Sequence, residues 1–143
     1  MASLGYQQGR AFLFCPRHNS ELVWSILDFA KERKIKMAVF TVVGAVKEAS
    51  IAYYNQAKHE YREIQLDKPL EIASGFGNLS IKDEKPFAHI HVVLSDATGR
   101  AYGGHLIRAL VFAAEVYIRE LRGKELEREY DQTTGLALWK FEG

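Results

Sequence analysis

The pattern of apolar and polar positions gives one helical stripe set among many short strand-like runs. Arg10–Cys15 is a compact apolar run that Pro16 closes, and it reads as a first strand. Residues 1–9 are polar and glycine-containing, and they read as a loose terminal segment ahead of one domain spanning 10–143. Leu22, Val23, Ile26, Leu27 and Ala30 then recur at helical spacing. Asn19 or Ser20 can accept the first free backbone N–H groups, Glu21 suits the positive end, and Lys31, Arg33 and Lys34 suit the negative end. The spacing predicts one major helix over Ser20–Arg33.

The run from Lys36 to Val46 is almost continuously apolar and β-branched, as in a strand covered on both faces. Ser50–Tyr54 and Lys58–Leu66, joined by Asn55-Gln56-Ala57, read as a hairpin whose Tyr53, Tyr54 and Tyr61 either pack across strands or form an interface patch. Further strands are expected at Leu70–Ala73, Gly77–Ile81, Phe87–Leu94, Gly104–Ala109, Val111–Leu121 and Leu136–Trp139. Turns fall at Asp67-Lys68-Pro69, Asp83-Glu84-Lys85-Pro86 and Ser95–Gly99. Val111–Leu121 also contains helix formers, but its alternation of Phe112, Ala114, Val116 and Ile118 with polar or smaller positions favours a strand. After Gly123 the chain is strongly charged to Asp131, and Lys124 to Arg128, mixing both signs, reads as a solvated segment. Together these elements predict an α+β domain in which a mainly antiparallel β-sheet packs with the one helix.

Length and composition agree with that picture. A chain of 143 residues, 48% hydrophobic and 26% charged, suits one packed domain. Nineteen basic against eighteen acidic residues leave a formal charge of +1, so bulk attraction to phosphate backbones or anionic membranes is excluded and any nucleic-acid surface must be local. The single Cys15 excludes a disulfide framework and a thiolate zinc site within one chain, and its apolar setting reads as inert core. The opening MASLGYQQGR has no secretory pattern and no run is long enough to span a membrane, so a cytoplasmic protein without a membrane partner is expected.

Candidate chemistry concentrates in the histidines. On a strand, His89 and His91 project to one face while Ile90, Val92 and Leu94 project to the other. The next strand returns through Ser95–Gly99, and Gly103-Gly104 lets its backbone approach closely, so that His105 can supply a third nitrogen. Three imidazoles suit a borderline divalent ion, Zn²⁺ above all, and leave a position for water or a ligand. The bland alternative is two half-exposed strand histidines and a third at a turn.

Other signals are weaker. Gly75-Phe76-Gly77-Asn78-Leu79-Ser80 opens like a dinucleotide fingerprint but lacks its third glycine and its helix, so a bulge or bend at Gly75 and Gly77, with Asn78 in a turn, is expected. Ser74, Ser80 and Ser95 lack the setting of a nucleophile. Lys31–Lys36 is a basic cluster in which Arg33, Lys34 and Lys36 could touch phosphate, although a solvated helix end explains it as well.

Gly9-Arg10, the helix ending in Phe29-Ala30-Lys31-Glu32, Leu70-Glu71-Ile72, Gly77-Asn78-Leu79-Ser80, and above all Pro86–Asp96 with Gly99-Arg100 and Gly103-Gly104-His105-Leu106 resemble the plants-and-prokaryotes-conserved (PPC) domain. The similarity runs from about Arg10 to Leu121, and the HxH pair, the D-x-x-G turn and GGHL carry it in combination. The resemblance implies a homotrimer and a divalent-metal site at His89, His91 and His105, with Gly77, Asn78, Gly103 and Gly104 shaping the site or its ligand. In plants such a domain resembles a partner-binding module that follows an AT-hook, but Gly9-Arg10-Ala11 and Gly99-Arg100-Ala101 lack the proline and basic flanks of that DNA-binding segment.

The leading expectation is a stand-alone trimeric module holding a metal and a small-molecule ligand. Sheet edges and abundant Tyr, Phe and Val give self-association support of its own. Second comes a DNA- or transcription-associated trimer whose Lys31–Lys36 faces act together. Third comes a metal-dependent hydrolase, which requires a base such as Glu71, Asp96 or Glu115 beside the triad.

Overall fold

The computed structural model describes residues 2–141. In chain order it contains β1 (Gln7–Phe14), α1 (Leu22–Glu32), β2 (Ala38–Asn55), β3 (Glu60–Leu66), β4 (Leu70–Lys82), β5 (Lys85–Ser95), β6 (Ala101–Arg122), β7 (Glu127–Asp131) and β8 (Leu136–Trp139). This is the expected mostly antiparallel α+β domain with one helix. Val111–Leu121 is strand, as its alternation indicated.

Three pairs of expected short strands are continuous. Lys36–Val46 joins Ser50–Tyr54 in β2, Leu70–Ala73 joins Gly77–Ile81 in β4, and Gly104–Ala109 joins Val111–Leu121 in β6. The reason is local. Pairing register shifts between Ile72 and Ser74 in β4, and between Val46 and Glu48 where β2 meets β6. A bulge absorbs one residue, reverses the in–out phase of the side chains beyond it and bends the strand, so an interrupted alternation marks a bend rather than an end. The bulge in β4 therefore lies before Gly75 and Gly77, not at them.

The bent strands close on themselves. β2 pairs with β6, β6 with β5, β5 with β4, and β4 again with β2. Inside this ring lie Phe40, Leu79, Ile90, Val92, Leu94, Leu106, Val116 and Ile118, and α1 adds Leu22, Ile26 and Ala30 to the same core. β1 extends the sheet along the C-terminal half of β6, and β3 pairs with the end of β2. The turn between β4 and β5 is Asp83-Glu84 alone, both with positive φ, the backbone of a two-residue hairpin; Lys85 and Pro86 already belong to β5.

Several local expectations change. β1 begins at Gln7 and ends at Phe14, which leaves Cys15 beyond it and exposed rather than in the core. Neither Asn19 nor Ser20 caps α1. Asn19 has positive φ, Ser20 donates its hydroxyl to the Arg17 carbonyl, and the cap is Glu21, whose carboxylate accepts from the Val23 and Trp24 amides. Glu21 Oε1 also accepts from Ala109 N at 3.0 Å, tying the helix start to β6. Glu21→Ala removes the acceptor for three amides at once and is expected to cost about 2 kcal/mol, at the upper end for a cap. Chemical denaturation measures this directly, and an unchanged midpoint contradicts it.

The stretch from Lys124 to Arg128 is not simply solvated. Leu126 is buried, and the β7–β8 hairpin docks on the ring through a parallel pairing of Ile81 and Lys82 with Glu127 and Arg128. No helix among the described residues is long and apolar enough to cross a membrane.

Candidate metal centre

β5 runs antiparallel between β4 and β6, so its outer-face histidines have a neighbour on each side. Asn78 lies opposite His89, Phe76 opposite His91 on one side, and His105 opposite His91 on the other. Directly opposed residues share a face of the sheet. Ile90 and Val92 are buried in the ring, which leaves the three imidazoles together outside it.

His89 Nε2 and His91 Nε2 are 3.2 Å apart, and no two of the three candidate donor atoms stand more than 4.8 Å apart. Two nitrogens on a tetrahedral Zn²⁺ at about 2.0–2.1 Å are separated by roughly 3.3 Å, so the closest pair already has a ligating spacing. His105 Nδ1 is buried and has no hydrogen-bond partner among the described residues. An orphaned imidazole nitrogen inside a cluster of imidazoles is a polar atom that a bound cation can satisfy. The Tyr61 ring packs on His105 at 5.4 Å and is itself paired across strands with Tyr54, so the tyrosines of the β2–β3 hairpin buttress the cluster.

Burial and neighbouring groups keep His89 and His105 neutral. Burial, then His105, Arg128 and His91, push His89 down to about 4, and burial, then His91 and Arg128, lower His105. Neutral imidazole is the form that binds metal. The stability consequence has a definite sign. The unfolded chain protonates these histidines below about pH 6.5, the folded metal-free chain only at lower pH, so stability is full above 6.5 and falls as pH drops toward 4. For His89, the loss between pH 7 and 4.5 is expected to be about 2 kcal/mol, read as the difference between native and His89→Gln chains in denaturant titrations without metal. Equal pH dependence in the two chains contradicts it.

The remaining candidates sort cleanly. Asn78 lies within β4 rather than in a turn, opposite His89 on the same face as the triad. Gly77 does not contact a ligand position: a Cβ there would strike the Phe40 ring and stand 2.6 Å from the His89 carbonyl oxygen. Gly104 similarly leaves no room before the Ala52 carbonyl oxygen, at 2.8 Å, whereas Gly103 has ordinary space. Gly77 and Gly104 thus allow close backbone packing, beneath β5 and beside His105 respectively, and Gly103 is not needed for it.

Of the three carboxylates, none lies at the triad. Asp96 follows β5 at the far end from His89 and accepts from Lys68, Tyr102 and Thr98, which hold it well below the ordinary carboxylate range. Glu71 pairs in register with Ser95 and Glu115 with Val43, both well along their strands from the histidines. In the basic cluster, Lys36 pairs with Glu125 at 2.5 Å and the Arg33 guanidinium lies over Phe12 and Phe29, while Lys34 adopts positive φ just beyond the helix.

One site residue escaped the sequence reading. Arg128 of β7 reaches across β4, donating from Nε to Ser80 Oγ at 2.8 Å and from Nη2 to Asn78 Oδ1 at 2.9 Å. Its only local signal was the alternation Glu127-Arg128-Glu129, which does not reveal that β7 docks beside β4.

Residues 4–122 match the Plants and Prokaryotes Conserved (PCC) domain, most of the chain. The chain belongs to that family. Among solved structures, a metal-containing protein from Archaeoglobus fulgidus is 45% identical, with a TM-score of 0.95 over 98% of this chain and 99% of its own. A plant- and prokaryote-conserved (PPC) protein from Pyrococcus horikoshii is 37% identical, with a TM-score of 0.94 over 100% of this chain and 99% of its own. A candidate DNA-binding protein from Bacteroides thetaiotaomicron is 23% identical, with a TM-score of 0.85 over 95% and 97%. At that identity it supports the PCC fold alone. No curated protein matches the chain.

Proposed function

We propose that this PCC-domain protein is a metal-dependent ligand-binding module in which His89, His91 and His105 hold one divalent ion, Zn²⁺ by the chemistry of an all-imidazole donor set. The observation that carries the reading is the gathering of three imidazoles on one outer face, with the His105 Nδ1 left without a hydrogen-bond partner among the described residues. Three protein ligands leave an open coordination position, the arrangement of a site that receives a further ligand rather than of a closed structural site. When bound, the ion supplies Lewis acidity at that position. The strands supply the rest: β5 fixes His89 and His91 side by side, β6 brings His105 to them, and Gly77 lets β4 and β5 pack closely over Phe40.

A homotrimer remains part of the proposal. Leu13, Trp24 and Phe112 are each more than half exposed, apolar surface that association of copies would cover. A DNA-associated role draws less support from the residues, because Lys36 is ion-paired and Arg33 is engaged by aromatic rings. Hydrolysis draws less support, because no carboxylate among the described residues joins the triad. The test is metal content after incubation with Zn²⁺ and removal of excess: about one ion per chain supports the proposal, and none overturns it.

A further inference from the structure

Arg128 stands one side chain from the triad and is unusually placed for a cation. It rests between the rings of Phe87 and Trp139, at 5.3 and 5.2 Å. Its Nε donates to Ser80 Oγ, Nη1 to the Ala137 carbonyl at 3.0 Å and Nη2 to Asn78 Oδ1. Asn78 is the residue directly opposite His89. Three of the five guanidinium N–H donors are therefore used, leaving one on each terminal nitrogen.

All three acceptors are neutral. No carboxylate among the described residues pairs with Arg128. Asn78 links Arg128 to the triad, standing opposite His89 on β4 while accepting from the guanidinium. A divalent ion on the triad would thus sit beside a half-buried guanidinium with no anion among the described residues to balance either. Two adjacent cations in a partly desolvated site call for a shared anion.

We propose that Arg128 and the ion held by the triad together form a receptor for a small organic carboxylate, one oxygen taken by the open metal position and the carboxylate also held by the free N–H groups of Arg128. The guanidinium fork matches a planar carboxylate, and the surrounding Phe87, Trp139 and Tyr61 rings offer apolar contact to the organic part of such an acid. This inference rests on the metal reading above and adds the chemical class of the ligand.

The experiment uses the full chain loaded with Co²⁺, whose visible spectrum reports exchange at the open position. Titration with benzoate is expected to shift the spectrum saturably, and Arg128→Gln is expected to weaken that binding about 10- to 100-fold, the range for loss of a charge-assisted hydrogen bond, with Co²⁺ stoichiometry unchanged. A purely structural Arg128 would not separate anion affinity from metal stoichiometry in this way. Arg128→Lys keeps the charge, loses the fork and serves if the glutamine variant does not fold; weakening of about tenfold is expected. Equal benzoate affinity in native and variant chains that both bind Co²⁺ overturns the role of Arg128 while leaving the metal site standing. Inorganic phosphate displacing benzoate at lower concentration overturns the carboxylate assignment. Failure of the native chain to bind Co²⁺ overturns both readings.

Discussion

Replacing His89, His91 and His105 together by alanine is expected to abolish the stabilisation of this protein by Zn²⁺. A ligand present at one hundred times its dissociation constant and bound only by the folded chain adds about 2.7 kcal/mol. For a chain near this length, that corresponds to a rise in Tm of about 8 °C. The native chain is expected to show the rise and the triple variant none, because alanine leaves no donor on the outer face of β5 or at the paired position of β6. The control is built into the design. All three positions lie outside the ring, whose core side chains Ile90, Val92 and Leu106 are untouched, so the metal-free variant is expected to unfold cooperatively. A triple variant that still gains about 8 °C from Zn²⁺ places the metal elsewhere.

Gly77→Val is expected to be the most damaging single change at the site, although it removes no donor. Its Cβ would meet the fully buried Phe40 ring on β2 and the His89 carbonyl oxygen on β5. Neither obstacle is the free end of a flexible side chain, so the ring must repack or β4 and β5 must separate. Overpacking of this kind costs about 3 kcal/mol. Because the strained strand is the one opposite His89, the variant is expected to lose metal affinity along with stability. Denaturation midpoints and Zn²⁺ binding on the same preparation check both parts. Native-like values for both would show that Gly77 is not held by close packing.

The helix, the strand positions and the HxH face were legible because each depends on local period: apolar positions at helical spacing for α1, and alternation around His89 and His91 for β5. His105 was legible only in combination, through the glycines that precede it and the turn that returns β6 to β5. What could not be read locally was continuity and closure. Ala73 in β4 breaks the alternation because it is bulged, and the broken period looks the same as the end of a strand. The helix cap was hidden for another reason: Ser20 is the more usual capping residue, but it spends its hydroxyl on the Arg17 carbonyl while Glu21 serves both α1 and β6. Arg128 was hidden by topology. Its neighbours in sequence are charged, and only the parallel docking of β7 on β4 turns a residue of a charged stretch into the cation beside His89.

Anomalous diffraction from crystals grown with Zn²⁺, recorded on both sides of the zinc absorption edge, tests the central claim most directly. The account predicts one strong peak per chain enclosed by the side-chain nitrogens of His89, His91 and His105, at about 2.0–2.1 Å from each. Anomalous signal confined to other positions, with the three imidazoles left without an ion between them, would contradict it.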